Sequence, residues 1–318
     1  MSFTVRVPGN ILLLGEYAVL EPDGLGVAIA VAPYVVANAA SSKRFALRGL
    51  TPFGYEDWHF GCSGGSFICN AANALAQTLR SRAGIALEQL QLSLTIDSRA
   101  FFDSAGNKRG FGSSAAAVVA LVTAVVRDLT ATHPRAAAGI DLLQTAVDVH
   151  RAVQGGHGSG YDVAASLRGG IGLFRGGRQP VFTALELHHQ PRLFLIPGPA
   201  AVSTREAINR YRTLKQSSPA TVNRFVDDSN RAVTAFVHSP DWQEQRTALI
   251  AARDASAALG RAAGVPADPS LADNAHRIAK CLGAGNELVA LFMDPRAATS
   301  LLPDPPAREV RPCSAEGL

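Results

Sequence analysis

The residues with the most evident chemical use lie in one stretch, NKRGFGSSAAAVVALV, from 107 to 122. Gly110 and Gly112 let a backbone curl tightly and come close to a ligand, because a residue without Cβ accepts left-handed dihedrals at little cost. The Ala- and Val-rich run that follows predicts a helix over 114–129, buried on most faces. The open N–H groups and positive dipole end of that helix would face whatever the glycines admit, and a phosphate suits that position. Ser113 and Ser114 add hydroxyls able to cap the helix, touch a phosphate or ligate Mg²⁺. On these residues alone, a phosphate cradle and a helix capped after a glycine turn are equally good readings. The segment is not a Walker A loop, which needs GK[ST], and it lacks the G-x-G-x-x-G of a dinucleotide fold.

Two further places carry reactive groups. Asp162 follows the turn Gly158-Ser159-Gly160; there a carboxylate either caps a turn or helix, or orients and deprotonates an attacking oxygen. Ser203 and Thr204 open a predicted helix over 203–214 carrying Arg205, Arg210 and Arg212, with Lys215 just beyond. That helix is either a basic solvated face or a surface for an anionic substrate.

The elements that must hold these groups follow from apolar spacing. Residues 4–20 predict two short strands around a turn at Pro8 and Gly9, and 26–39 and 90–97 predict further strands. Helical spacing covers 67–82 and 136–153. GGIGLF and QPVFTALEL predict a strand pair after the glycine-rich stretch at 155–170, and RLFLIP restarts the pattern near Gln190 and Pro191. A boundary there gives domains 1–188 and 189–318. Beyond it, 220–236, 242–259 and 270–280 predict helices and 287–293 a buried strand; from Pro303 the chain is either a frayed tail or ends in an edge strand at REVRPCS.

The chain has 318 residues, 47% hydrophobic and 18% charged, which argues for compact folding and against disorder or a repeat array. Its formal charge of +4 is spread thinly, so it fits a solvated surface or an anionic metabolite; no basic patch with interleaved aromatics points to nucleic acid. No export signal and no uninterrupted apolar span of about 20 residues is read, so no membrane partner and a cytoplasmic location are expected. Cys62, Cys69, Cys281 and Cys313 have no CxxC spacing, which predicts reduced and mostly buried thiols.

The stretch KRGFGSSAA resembles the phosphate-binding motif of the GHMP kinases, the family of galactokinase, homoserine kinase, mevalonate kinase and phosphomevalonate kinase. It is nearest to the KTGLGSSAA form of phosphomevalonate kinases. VPGNILLLGEYAVL similarly resembles the family's first motif, HRAVQGGHGSGYDVAASLRGG resembles H-x-x-A-Q-G-K-x-G-S-G-F-D-V-A, and KCLGAGNELVALF resembles K-x-S-G-A-G-G-G-D. The resemblance implies a two-lobed α+β fold with an N-terminal ribosomal protein S5 domain 2-like lobe, a C-terminal ferredoxin-like lobe and an active site between them. ATP and Mg²⁺ are then the implied cofactors, with Lys108, Gly110, Gly112, Ser113, Ser114 and Ala115 on the nucleotide and Ser113 or Ser114 assisting the metal. Asp162 falls on the family's catalytic aspartate, with Ser159 beside it and Asn10 at the first-motif lysine. Glu16, Tyr17, Gly158, Ser203, Thr204, Arg205, Gly283, Ala284 and Gly285 are implied on the substrate side, the partner being a small anionic molecule and the protein a monomer or homodimer.

The departures from the pattern fall on charge. Asn10 replaces the first-motif lysine, Gly156 the lysine of Q-G-K, and Leu282 and Asn286-Glu287-Leu288 the serine and Gly-Gly-Asp of the third motif. Each buried charge-assisted contact is worth about 1.5–3 kcal/mol, so Lys108, Lys280 and the arginines of 205–212 become the candidates to replace what is lost. The function expected is transfer of the γ-phosphoryl group of ATP to phosphomevalonate, giving diphosphomevalonate in the isoprenoid pathway. The rivals are a mevalonate or sugar kinase of the same family and a nucleotide-binding protein that keeps the fold with little catalysis.

Overall fold

A computed structural model describes residues 2–59, 62, 66–198, 203–283, 285, 288–298, 302 and 307–317. The chain forms two compact units: Met1–Asn10 with Ala30–Gly169 and Cys313–Leu318, and Ile11–Ile29 with Gly170–Pro312. Two long strands, β1 (Ser2–Leu14) and β2 (Leu25–Ser41), run through both. Both units are therefore built from separated stretches of the chain.

In the first unit β2 pairs antiparallel with β5 (Leu92–Asp97), which runs parallel to β3 (Ala46–Thr51), itself antiparallel to β4 (Gly54–Trp58). Five helices complete the unit: α1 (Phe67–Ala83), α2 (Ser113–Thr132), α3 (Pro134–Ala137), α4 (Leu142–Val153) and α5 (Tyr161–Arg168). Helix α2 packs on α3, α4, α5 and β5. Every residue from Ala115 to Val125 in it is buried, which is why it shows no polar face. By length and composition α2 could cross a membrane, but most of it is hidden inside the unit as a core helix. Each buried Val or Leu there contributes about 1.5–3 kcal/mol.

Three local readings are corrected here. Pro8 and Gly9 do not break β1: a Cβ on Gly9 would stand 2.5 Å from the Phe111 carbonyl oxygen, so this glycine serves a close approach rather than a turn. The helix read over 136–153 is two pieces, because Asp141 accepts the Gln144 N–H at 2.8 Å and caps a fresh start at Leu142. Helix α5 was hidden in a stretch whose glycines suggested only loop.

In the second unit the start of β2 pairs with β6 (Ile171–Arg175), and β6 with β7 (Val181–Ala184). A four-stranded antiparallel sheet runs β11 (Arg308–Val310), β8 (Arg192–Pro197), β10 (Leu288–Met293), β9 (Arg277–Leu282). Its buried face gathers Phe194, Ala279, Cys281, Val289, Leu291 and Met293. Helices α6 (Thr204–Ser217), α7 (Pro219–His238) and α8 (Trp242–Ala263) pack against one another. The helix expected over 270–280 is absent: β9 occupies its second half, paired along its length with β10. β11 realises the edge-strand alternative at 308–310, whereas Pro303 and the three residues after it lie outside the described residues. All four cysteines are free, three of them buried.

Candidate active site

The site is built in the first unit around the starts of two helices. Helix α2 begins at Gly112, whose φ of 68° and ψ of 38° are left-handed, and no side chain caps it. Gly110 before it also has a positive φ, 77°. The first-turn N–H groups of Ser113, Ser114 and Ala115 thus face outward from the end of a long aligned helix. Ala115 has its side chain buried, so what it offers is that N–H. Lys108 is exposed on the preceding loop. Asp103 shapes the loop, accepting the N–H groups of Ala105 and Asn107 at 2.9 and 2.8 Å and the Asn107 amide at 3.2 Å. Those bonds from Asn107 hold the Asp103 carboxyl below its ordinary value.

Helix α5 starts in the same way, at Gly160 with φ 91° and no side-chain cap. Asp162 stands in its first turn; its Oδ1 accepts the Val163 N–H at 2.9 Å, and its Oδ2 lies 3.5 Å from His150 Nδ1. The same imidazole puts its Nε2 3.3 Å from Ser114 Oγ and 3.3 Å from the Gln154 amide nitrogen. A buried ring in the last turn of α4 therefore joins the phosphate-loop serine to the aspartate. His150 opens the motif HRAVQGGHGSGYDVAASLRGG, where its residue type alone implies no role. The signal available was one imidazole on an Ala- and Val-rich helix face shortly before the aspartate.

Two further residues expected in the chemistry, Asn10 and Ser159, are bonded within the fold. Asn10 is buried, receives a fixed backbone through its N–H bond to the Phe111 carbonyl at 3.0 Å, and donates its amide to Ser166 Oγ at 3.0 Å. It ties β1 to α5 and packs against Gly112. Ser159 is also buried; its Oγ accepts the Tyr161 N–H at 3.4 Å, and Arg151 donates to the carbonyls of Gly158 and Ser159, both at 2.9 Å. Ser159 and Gly158 thus belong to a braced turn that sets the start of α5.

A Cβ at Gly112 would sit 2.2 Å from Asn10 Nδ2, on a backbone that L side chains rarely adopt. Gly112→Ala is expected to lose about 1–3 kcal/mol through strain and overpacking and to weaken nucleotide affinity. Urea unfolding alongside calorimetry checks this; an unchanged midpoint would contradict the tight packing.

The remaining candidates lie in the second unit. Glu16 is buried, and the fully buried Lys280 donates its ammonium to Glu16 Oε1 and, at 3.0 Å, to the Cys281 carbonyl. Ser256 Oγ is 3.5 Å from Glu16 Oε2. Burial pushes the Glu16 carboxyl above its ordinary value, and the Lys280 charge opposes that rise. Glu16 and Lys280 are thus each other's partners in a buried pair. Tyr17 stacks on Tyr211 with centroids 5.3 Å apart, its hydroxyl pushed up to about 12 by burial and then by the Glu16 charge. Ser203 caps α6, accepting the Glu206 N–H at 3.4 Å. Of the cations after it, Arg210 bonds Glu206 and the Gly264 carbonyl and Lys215 bonds Glu21. Thr204, Arg205 and Gly283 are exposed, Arg212 is half-buried and Gly285 is buried, while Ala284, Asn286 and Glu287 lie outside the described residues.

The site's fit to ligands can be judged from its donors. An uncapped helix start with a left-handed glycine, two hydroxyls and a nearby lysine suits a polyphosphate. Among the described residues no three His, Cys, Asp or Glu side chains are grouped to hold a metal. Mg²⁺ commonly takes one or two protein ligands beside phosphate oxygens and water, a role that Ser113 or Ser114 can fill.

Residues 66–170 match the family described as GHMP kinases N terminal domain. No curated protein matches the sequence. Among solved structures, the Lin0012 protein from Listeria innocua is similar with a TM-score of 0.77 at 24% identity, over 93% of this chain and 92% of that one. Streptococcus pneumoniae phosphomevalonate kinase in complex with phosphomevalonate and AMPPNP gives 0.68 at 18% identity, over 94% and 93%. Lactococcus lactis galactokinase complexed with galactose gives 0.60 at 14% identity, over 92% and 86%. Residues 66–170 thus match a GHMP kinase N-terminal domain, and the chain has the fold of these solved kinase structures.

Proposed function

We propose that this protein is a cytoplasmic, ATP-dependent kinase of a small anionic metabolite, with phosphomevalonate the acceptor and diphosphomevalonate the product. Residues 1–188 form the nucleotide-binding domain in this reading and 189–318 the second domain. The observation that carries it is the uncapped start of α2 at Gly112, joined through His150 to the carboxylate of Asp162. In the transfer, a bond forms between the acceptor oxygen and the γ-phosphorus while the bridging β–γ oxygen bond breaks, and ADP leaves. Such transfers depend on positioning and charge neutralisation more than on covalent protein chemistry. Mg²⁺, when bound, supplies neutralisation of the phosphates. The N–H groups of α2 and Lys108 bind the phosphates, and Asp162 orients the acceptor. An acceptor hydroxyl gives its proton to Asp162; a phosphate monoester, already ionised at neutral pH, needs only orientation.

A second reading has its own support. With an uncharged Asn10 acting as a tie and Lys280 committed to Glu16, neither position offers a positive charge to an anionic acceptor, which favours a less charged acceptor such as mevalonate or a sugar. Coupled ADP release over phosphomevalonate, mevalonate, homoserine and galactose separates the two. Turnover confined to phosphomevalonate supports the first; turnover on galactose alone rejects it. MgATP binding by calorimetry without ADP release above background for any acceptor would leave a nucleotide-binding protein.

A further inference from the structure

We infer that His150 is a positioning residue that sets Ser114 and Asp162 in register with each other, an inference that rests on the kinase reading above. The ring is 2% exposed, while its partners on either side reach the surface, Asp162 with its side chain 20% exposed. The contacts around the ring point to one tautomer. The Gln154 amide nitrogen is a donor and lies 3.3 Å from Nε2, so Nε2 carries the lone pair and Nδ1 the proton. Nδ1–H then points at Asp162 Oδ2, 3.5 Å away, and Nε2 accepts from Ser114 Oγ–H at 3.3 Å.

Two consequences follow for the chemistry. The Ser114 proton is turned inward to the ring, so the lone pairs of its oxygen face the mouth of α2, the orientation a cation ligand needs. Asp162 has one oxygen held by the Val163 N–H and the other by the imidazole, which fixes the carboxylate plane. The residue types are those of a nucleophilic triad, but there the carboxylate is the hidden member and the serine is stripped of its proton. Here the imidazole is the hidden member, and Gln154 shares its basic nitrogen.

The test combines spectroscopy and kinetics on the full-length protein. Nitrogen-15 NMR of the histidines in the wild type should show one imidazole with protonated Nδ1 and unprotonated Nε2. It should lose that signature in His150→Phe and shift in Asp162→Asn and Ser114→Ala. An Nε2-protonated or solvent-averaged His150 overturns the inference, whether or not the protein proves to be a kinase. In the ADP-release assay, His150→Phe fills the volume without hydrogen bonds and should lower kcat by about 10²-fold with acceptor KM changed less than about threefold. His150→Asn keeps a donor near the Nδ1 position and should recover about tenfold over Phe. A folded Phe variant with kcat within twofold of the wild type overturns the inference, as does equal loss in Phe and Asn. Wild type without turnover on any acceptor instead defeats the kinase reading and leaves the tautomer measurement to decide the role of His150.

Discussion

Replacing Asp162 with alanine should lower kcat by about 10²–10⁴-fold in the ADP-release assay while leaving MgATP affinity within a few-fold of the wild type. The separation of the two effects comes from the geometry. In the proposed reading nucleotide phosphates meet the N–H groups at Gly112–Ala115, whereas the carboxylate is held at the start of α5 by Val163 and His150. Asp162→Asn keeps the shape and one acceptor oxygen but loses the charge. It should fall between the wild type and alanine if the acceptor is a hydroxyl that must yield a proton, and near the wild type if the acceptor is an ionised phosphate. Full turnover in Asp162→Ala would remove the carboxylate from the chemistry altogether.

The largest stability effect is expected at Lys280. Removing one partner of a buried ion pair leaves the other charge unpaired in a low-dielectric site, which costs about 3–5 kcal/mol. Lys280→Met should therefore lower the urea midpoint markedly, and the double variant Glu16→Leu with Lys280→Met should recover most of the loss, since apolar filling of such a site is often neutral or better. A pH dependence accompanies the single variant. Without the ammonium only a backbone N–H and the Ser256 hydroxyl oppose the burial that raises Glu16, so the folded protein keeps that proton to a higher pH than the unfolded chain does. Stability is then fullest below the unfolded carboxyl value, near 4.5, and falls as pH rises through the raised one. A Lys280→Met midpoint that holds steady from pH 4.5 to 8 would sink this account.

How much of this could be read in advance varied with physical cause. Helices α1, α2 and α7 were visible because their apolar residues recur at helical spacing or fill every face. The hairpin of β3 and β4 was not, since GYEDW is polar and four of its five residues are exposed. Strand β9 was read as part of a helix because RIAKCL is buried on both faces and shows no alternation. The break before α4 did leave a trace: Asp141 followed three residues later by Gln144 is a capping pattern that the apolar spacing overrode. At the site, the glycine loop and Asp162 were legible as motifs. The Glu16–Lys280 pair was not, because its members are 264 residues apart in the chain. Nor was the tie made by Asn10, because a motif position predicts the ancestor's side chain and not what a shorter one will bond.

The way β1 and β2 thread both units has a bearing on biogenesis. The first unit includes the backbone pairing of Arg6 with Glu316, at 2.9 Å in both directions, and the Cys313 N–H bond to Ala30 at 3.0 Å. The second needs Ile11–Ile29 from early in the chain and Gly170–Pro312 from late in it. A ribosome therefore releases neither unit finished by the time residue 188 has emerged, and a fragment cut there carries strands whose partners have yet to be made. The first unit is complete only once the stretch around 313–317 has emerged, so chaperone dependence during synthesis should track that segment.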